Sequence, residues 1–264
     1  MLLILKLTIT PLLVALMSLA ARRWGPTVGG LIMGLPWMTG PILFFLGLEH
    51  GDAYVARAAI GVLVGAIAIG AHLTAYVYTA RRYGWPVSLG VAFLAFAATG
   101  YAVSGLDLSL WAAASGATAS LCAAFLAMPR VSDPGNLRFL PWWDIPMRMV
   151  ATAFLVAIIT LCASFVGPEL IGVVSTYPVI LSVIGIFTHS QWGWPAIVQL
   201  ARGVSLSLLS FVVFFLVLGL SAEQVGLIWS FALAAGAALV ISSIMILLTG
   251  GRGEGRPDET KKAS

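Results

Sequence analysis

The sequence predicts an all-α, polytopic membrane protein of about nine transmembrane helices, built as two inverted four-helix repeats joined by a linker helix. Three observations predict it: a composition that is 60% hydrophobic and 9% charged, nine long apolar stretches, and an internal match between two distant segments of the chain. With a mean hydropathy of +1.02, a globule in water would expose large apolar patches, so a water-soluble fold is excluded. Helices are predicted because the ten-residue alternating segments of a membrane barrel are absent.

The spans follow from length, because about 20 mostly apolar residues cross the hydrocarbon core of a bilayer as a helix. Nine stretches meet this requirement approximately: 2–20, 26–48, 54–79, 86–103, 108–127, 147–166, 169–188, 196–220 and 225–249. A charged, glycine-rich tail at 250–264 follows the last span and is predicted to be disordered and cytoplasmic.

The charges of the connections predict the orientation, since Lys and Arg accumulate on the cytoplasmic side. Basic residues occupy alternate connections: Arg22, Arg23, Arg81, Arg82, Arg130, Arg138, and Arg252, Arg256, Lys261 and Lys262 of the tail. The intervening connections carry Glu49, Asp52, Asp107, Glu169 and Glu223. The N-terminus is therefore predicted outside and the C-terminus in the cytoplasm, and the net charge of +4 is assigned to loops and not to nucleic-acid binding.

An internal repeat aligns 10–62 with 152–204 without a gap, and 16 of the 53 positions are identical. The identities include Pro36 with Pro178 and Gly51 with Gly193, and Lys6 falls on Arg148 just before the match. The repeat also predicts that the first apolar segment is a span and not a cleaved signal, because an internal copy of a signal would serve no purpose.

Five spans precede the second copy, so the two copies are predicted to have opposite orientation and to be related by a pseudo-two-fold axis in the membrane plane. The predicted organisation is a first four-span repeat at 1–103, a linker span and cytoplasmic loop at 104–142, a second four-span repeat at 143–249, and the tail at 250–264.

The run from Lys6 through GGLIMGLPWMTGPILFFLGLEHG to Arg57 and Ala58 resembles GlpM, a family of small four-span bacterial inner-membrane proteins. The chain resembles two such units joined through an extra span. Copy two departs from the pattern at Gln191, which replaces the acidic residue, and at Arg202, three residues beyond the position that matches Arg57. The resemblance implies a bacterial inner-membrane location and implies no activity.

Spans two and seven hold the candidate substrate-binding residues and are predicted to cross at the centre of the bundle. The residues are Pro36, Thr39, Ser175, Thr176, Tyr177 and Pro178. In transporters with inverted repeats, helices interrupted at matching positions form the binding site. The alternative is that small residues and prolines serve only close helix packing, as is common in membranes. Both interpretations stay open at this point.

Basic residues at paired places form the second candidate group: Lys6 with Arg148, and Arg57 with Arg202. Charges at depth in a membrane are costly unless they are paired or reach water. One interpretation is a pair of cationic gates for an anionic solute, with Arg57 and Arg202 contacting it from opposite sides. The other is that these side chains extend to the lipid headgroups, or that Arg57 pairs with Glu49 or Asp52.

These features predict a small secondary transporter or permeation protein for a small, anionic solute, with the lipid bilayer as its other partner. The class-level alternative is a non-transporting structural or accessory subunit of a bacterial envelope complex. Hydrolase, metalloprotease and nucleotide-binding motifs are absent from the sequence, so no enzyme, no cofactor and no metal site is predicted. His72, in the third span, has no counterpart in copy two, where Phe214 stands, and it is predicted to be a hydrogen-bonded packing residue, the alternative being a proton relay.

Overall fold

A computed structural model describes residues 2–24, 32, 36–37, 39–131, 143–165 and 176–250, and every regular element in these ranges is an α-helix. The helices are α1 (Leu2–Trp24), α2 (Thr39–His50), α3 (Asp52–Ala80), α4 (Trp85–Ser104), α5 (Leu110–Ala127), α6 (Asp144–Phe165), α7 (Val179–Val225) and α8 (Leu227–Gly250). The predicted all-α class is therefore confirmed for the described part of the chain.

Five of these helices are long and apolar enough to cross a bilayer: α3, α4, α5, α7 and the part of α8 that ends at Met245. Large apolar side chains face outward on them, as lipid-facing positions require, for example Leu94, Leu126 and Trp229. The chain is a helical membrane protein. The count of nine spans and the inversion of the copies stay predictions.

Helix α7 is 47 residues long and is interrupted at Gly193, which has φ 76° and ψ −170°. The interruption separates a first half, 179–192, from a second half, 194–225. Gly51, the residue of the first copy that matches Gly193, separates α2 from α3 with φ 83° and ψ 173°. Backbone in this region is accessible almost only to glycine. The two matched glycines therefore make equivalent breaks between consecutive helices.

Replacement of Gly193 by alanine is expected to lower the free energy of unfolding by about 1–3 kcal/mol, because a Cβ atom is strained at positive φ. Gly185→Ala, in the first half of the same helix, is the matched control: its added Cβ would meet Ile197 at an ordinary 3.5 Å. Unfolding in mixed detergent micelles measures both variants. Equal free energies of unfolding for Gly193→Ala and Gly185→Ala would contradict the helix break at Gly193.

The prolines of spans two and seven also have equivalent local structure. The backbone N–H of Gly40 donates to the Pro36 carbonyl at 3.0 Å, and that of Ser182 donates to the Pro178 carbonyl at 2.9 Å. Both prolines precede the first residue of a helix, where a missing N–H is tolerated. They therefore start helices and do not bend continuous ones.

When the alignment of the two copies is extended beyond the region of sequence identity, it pairs α4 with α8. The N–H of Ser88 donates to the Gly84 carbonyl, and the N–H of Ser230 donates to the Gly226 carbonyl. The buried stripe of α4 is Ser88, Ala92 and Phe96, and that of α8 is Ser230, Ala234 and Ala238. Local structure and burial thus recur where sequence identity has faded.

The centre of the bundle is formed by α3 and α7. Helix α3 packs against α4, α5 and α7, while α7 also packs against α5 and α8, and α1 packs mainly on α6. Helix α2 buries Gly40, Leu43 and Gly47 and packs on α3 and α8. The crossing of spans two and seven at the bundle centre stays a prediction, because residues 25–31, 33–35 and 38 at span two and 166–175 at span seven lie outside the described part of the chain.

Candidate functional site

The most polar buried feature is a group of four side chains from three helices, called the Asp144 cluster: Arg22 of α1, Asp144 and Arg148 of α6, and Gln191 of α7. The Arg148 Nε donates to Asp144 Oδ2 at 2.9 Å, and its Nη2 donates to Gln191 Oε1 at 2.8 Å. The Arg22 guanidinium and the Gln191 amide also donate to the Asp144 carboxylate. One carboxylate therefore joins the ends of α1, α6 and the first half of α7.

Burial makes this cluster energetically demanding, because Asp144 is 0% and Arg148 1% exposed. A buried ion pair is tolerated only when hydrogen bonds satisfy its remaining groups. Asp144 precedes the span predicted at 147–166. Burial alone raises the pKa of its carboxyl, but the Gln191 hydrogen bond, the Arg148 charge and the hydrogen bonds from Arg22 and Arg148 outweigh burial and hold that pKa below its ordinary value. The Arg148 guanidinium also lies 4.8 Å from the centre of the Phe187 ring.

Sequence reasoning selected Arg148 and missed its counter-charge Asp144 and also Arg22, which binds the same carboxylate. A signal was available, since Asp144 and Arg148 have the i, i+4 spacing of a helical ion pair. Gln191 was noted only as a departure from the GlpM pattern. Lys6, the sequence match of Arg148, lies on α1, and its side chain is outside the described part of the molecule.

Arg202 has a local structural role. Its guanidinium donates to the carbonyls of Phe125 at 3.0 Å and Met128 at 2.7 Å, and it lies 4.1 Å from the centre of the Phe125 ring. These carbonyls belong to the C-terminal end of α5, where the helix dipole favours a cation. Arg57 is exposed on α3. Arg202 and Arg57 therefore lie in different surroundings, and neither belongs to the Asp144 cluster.

Substitution of Arg202 and of Arg57 tests whether Arg202 alone stabilises the end of α5. Arg202→Gln is expected to lower the free energy of unfolding by about 1.5–3 kcal/mol, because two charge-assisted hydrogen bonds are lost. Arg57→Gln is the matched control and is expected to change stability by less than about 0.5 kcal/mol, as an exposed charge does. Equal losses in thermal unfolding would contradict the capping of α5 by Arg202.

The remaining residues of spans two and seven are packed, as far as the described ranges reach. Thr176 lies against Gly65 of α3, where an added Cβ would come within 2.7 Å of the Thr176 Cβ. The Tyr177 oxygen accepts a hydrogen bond from Ser182 at 2.8 Å, and its ring packs on Phe96. Thr39 is partly buried at the start of α2, and Ser175 lies outside the described residues. Thr39, Thr176 and Tyr177 do not line the cavity described next.

A small cavity lies elsewhere, between α3 and both halves of α7. Its volume is about 10 Å³, and it is lined by His72, Tyr76, Leu181, Gly185 and Leu200 among others. The Tyr76 hydroxyl lies 3.5 Å from His189 Nδ1, and His72 is 1% exposed. Sequence reasoning predicted His72 as a hydrogen-bonded packing residue, and its ring does pack against Phe96 and Tyr177.

A grouping of three or more His, Cys, Asp or Glu side chains that could hold a metal ion is not found in the part of the chain that the structure describes. Comparison of the chain with models of protein families, with characterised proteins and with solved structures finds no match. The fold and the candidate site together define a helical membrane protein with a buried ionic cluster.

Proposed function

We propose that the chain is a secondary transporter of the bacterial inner membrane, with nine spans, that moves a small solute carrying an anionic group. It is composed of two GlpM-like four-span units in inverted orientation, with the N-terminus outside and the C-terminus in the cytoplasm. It has no catalytic role and binds no nucleic acid, and its partners are the lipid bilayer and the solute.

Helix lengths support nine spans. Helices α1 and α6 have 23 and 22 residues, and the 47 residues of α7 are divided at Gly193 into two segments. At about 1.5 Å per residue, a continuous helix of that length would extend far beyond a hydrocarbon core of roughly 30 Å, whereas two segments fit it. Span two is represented by α2, which covers the second half of 26–48.

Contacts between helix ends support the alternation of the spans. The Tyr78 hydroxyl donates to the Ala127 carbonyl at 2.7 Å, and both residues lie at ends predicted to be cytoplasmic. Gly219 contacts Leu110, and both residues lie at ends predicted to be outside. The four residues of the Asp144 cluster likewise all lie at span ends that are predicted to face the cytoplasm.

Recurrence of local structure at matched positions supports the two copies. The breaks at Gly51 and Gly193, the first-turn hydrogen bonds at Pro36 and Pro178, and the buried stripes of α4 and α8 all follow the alignment of the repeat. Five spans between equivalent positions would invert one copy relative to the other.

The observation that carries the transport proposal is that α2 and α7 begin near the middle of their predicted spans, close to the matched prolines, at Thr39 and Val179. The N-terminus of a helix presents free N–H groups and a partial positive charge. Two such ends at mid-membrane favour an anionic group over a cation, as in transporters with broken helices. Thr39 and Thr176 supply hydroxyl groups close to these ends.

The Asp144 cluster supports a closed cytoplasmic side. It connects α1 of the first copy to α6 and α7 of the second copy, so separation of the copies at that side requires these hydrogen bonds to break. Alternating access needs such contacts that form in one state and open in the other. Arg148 is therefore assigned to the gate and Thr39 to the solute.

One observation favours the alternative of a structural subunit. Thr176 and Tyr177 are packed against α3 and α4 and do not line the cavity beside His72. Under that alternative, the breaks in α2 and α7 only allow compact packing, and the protein binds no solute.

A binding and uptake screen distinguishes a transporter from a structural subunit. Purified protein is tested by thermal shift, and in liposomes by uptake, against phosphate, sulfate, mono- and dicarboxylates, and matched cationic solutes. We expect stabilisation and uptake for an anionic solute. Thr39→Val should weaken both, whereas Thr118→Val, a hydroxyl removed from α5, should not. No binding or uptake across the panel, or a preference for cations, would overturn the proposal.

The topology has its own test. Single cysteines at Arg82 and Asp107, in a background lacking Cys122 and Cys162, are labelled in intact cells with a membrane-impermeant maleimide. We expect labelling at position 107 and protection at position 82 until the membrane is opened. Labelling of both positions from one side would contradict the alternation and the inversion.

A further inference from the structure

His72 is an ionisable side chain deep inside the bundle. It lies in the middle of α3 and is 1% exposed, with Phe96 and Tyr177 against its ring. One ring nitrogen interacts with the backbone of Ala92 on α4. Its other nitrogen, Nδ1, is buried and has no hydrogen-bond partner in the described part of the structure. An intramembrane ionisable residue with an unsatisfied polar atom calls for an explanation beyond packing.

Packing alone does not require this residue. The second copy has Phe214 where the first has His72, and Leu218 where the first has Tyr76, and both are buried. Apolar side chains therefore fill the equivalent positions of α7. The polar pair belongs to the first copy only, which favours a function specific to that copy.

The cavity beside this pair has the size for one water molecule, and two of its nine lining residues, His72 and Tyr76, have polar side chains. Its volume is about 10 Å³, close to the ~10–15 Å³ that one water needs by this measure. His72 and Tyr76 both line it, one helical turn apart on α3. A water there would accept and donate hydrogen bonds to two polar groups, which is the minimum that buried waters have.

A connection toward the predicted cytoplasmic side starts at the same tyrosine. The Tyr76 hydroxyl lies 3.5 Å from Nδ1 of His189, a partly buried residue near the end of the first half of α7. The titratable groups near the His72 ring are Tyr76 of α3 and Tyr177 ahead of α7, with His189 beyond Tyr76, and α4 presents Ala92 and Phe96. Carboxylates and guanidinium groups do not line the cavity.

We propose that this cavity holds one water that joins His72 Nδ1 to the Tyr76 hydroxyl, and that His72 is a proton-binding site reached from the cytoplasm through His189. The site rests on the proposed function and gives the transporter a proton as its coupling ion. His189, once protonated from the cytoplasmic side to the imidazolium, gives its Nδ1 proton to the Tyr76 oxygen as the Tyr76 proton moves to the water and a water proton moves to His72 Nδ1, and His189 ends neutral. Tyr76 and the water end neutral, and His72 carries the charge.

The chain has three histidines, so ¹⁵N-histidine solid-state NMR in lipid bilayers can resolve them. His72→Phe assigns the His72 signals, and the fold should tolerate this change because phenylalanine occupies the equivalent buried position 214. We expect magnetisation transfer from water to His72 Nδ1 and conversion of that signal to imidazolium when the sample is acidified. Tyr76→Phe, which removes only the hydroxyl, should reduce the transfer at least twofold.

His50, which is exposed and packs on Tyr54, is the internal control, and its signals should show the same water transfer in all variants. A His72 signal without water transfer, or one that stays neutral until the protein unfolds, would overturn the inference. So would equal transfer in wild type and Tyr76→Phe. The measurement uses no solute, so a dry, neutral His72 together with solute-induced stabilisation would refute this site and leave the transport proposal intact.

Discussion

Replacement of Asp144 by alanine is expected to lower the free energy of unfolding by about 3–5 kcal/mol, because it leaves the buried Arg148 guanidinium without its counter-charge. The donors of Arg22 and Gln191 that bond to the same carboxylate are released as well. Equilibrium unfolding in mixed micelles, followed by far-UV circular dichroism, measures the loss. This expectation concerns stability and holds whether or not the protein transports a solute.

Two further variants make the Asp144 result specific. Asp107→Ala removes an exposed acidic residue from a loop and is expected to change stability by less than about 0.5 kcal/mol. In Asp144→Leu/Arg148→Met the fully buried guanidinium is absent and only the partly exposed Arg22 loses its partner, so the loss should be much smaller than the sum of the two single losses. Strict additivity would indicate that the two side chains do not interact, contrary to their 2.9 Å hydrogen bond.

The sequence predicts the membrane class and most helices of this protein because both follow from local chemistry. Apolar stretches of about 20 residues become helices in lipid whatever their neighbours are, since the backbone has no other partner there. Gly51 and Gly193 were found as matched residues because the repeat preserves them. Both residues have positive φ, 83° and 76°, a conformation that requires glycine, and this requirement explains why the repeat preserves them.

The candidate site was predictable only in part, because its contacts join residues far apart in the chain. Asp144 contacts Arg22 across 122 positions, and no local pattern indicates that pairing. Arg202 was selected for its depth and its pairing with Arg57, yet its partners are backbone carbonyls at the end of α5. Backbone acceptors carry no sequence signal, so this role could not be read from residue types.

Replacement of Gly70 by leucine is expected to have the second large effect, because α3 and α5 approach closely there. An added Cβ at position 70 would lie 2.2 Å from the Ser120 hydroxyl oxygen and 3.0 Å from the Ser120 carbonyl oxygen. The Ser120 hydroxyl also donates to the Ile67 carbonyl at 2.8 Å, which fixes it against α3. The two helices must separate to admit the side chain, with an expected loss of about 3 kcal/mol or more.

Gly61→Leu is the matched control, since Gly61 lies on the same helix, is exposed, and has open space where a Cβ would be placed. It is expected to be neutral or slightly stabilising, because leucine has a higher helix propensity than glycine. Gly70→Ala adds only the Cβ that meets Ser120 and should also lower the free energy of unfolding. Adding Ser120→Gly to that variant should recover part of this loss, because the hydroxyl is removed while the contact with the Ser120 carbonyl remains. If unfolding in mixed micelles gives Gly70→Leu the same free energy as Gly61→Leu, then α3 and α5 do not pack at Ser120 and the centre of the bundle is differently arranged.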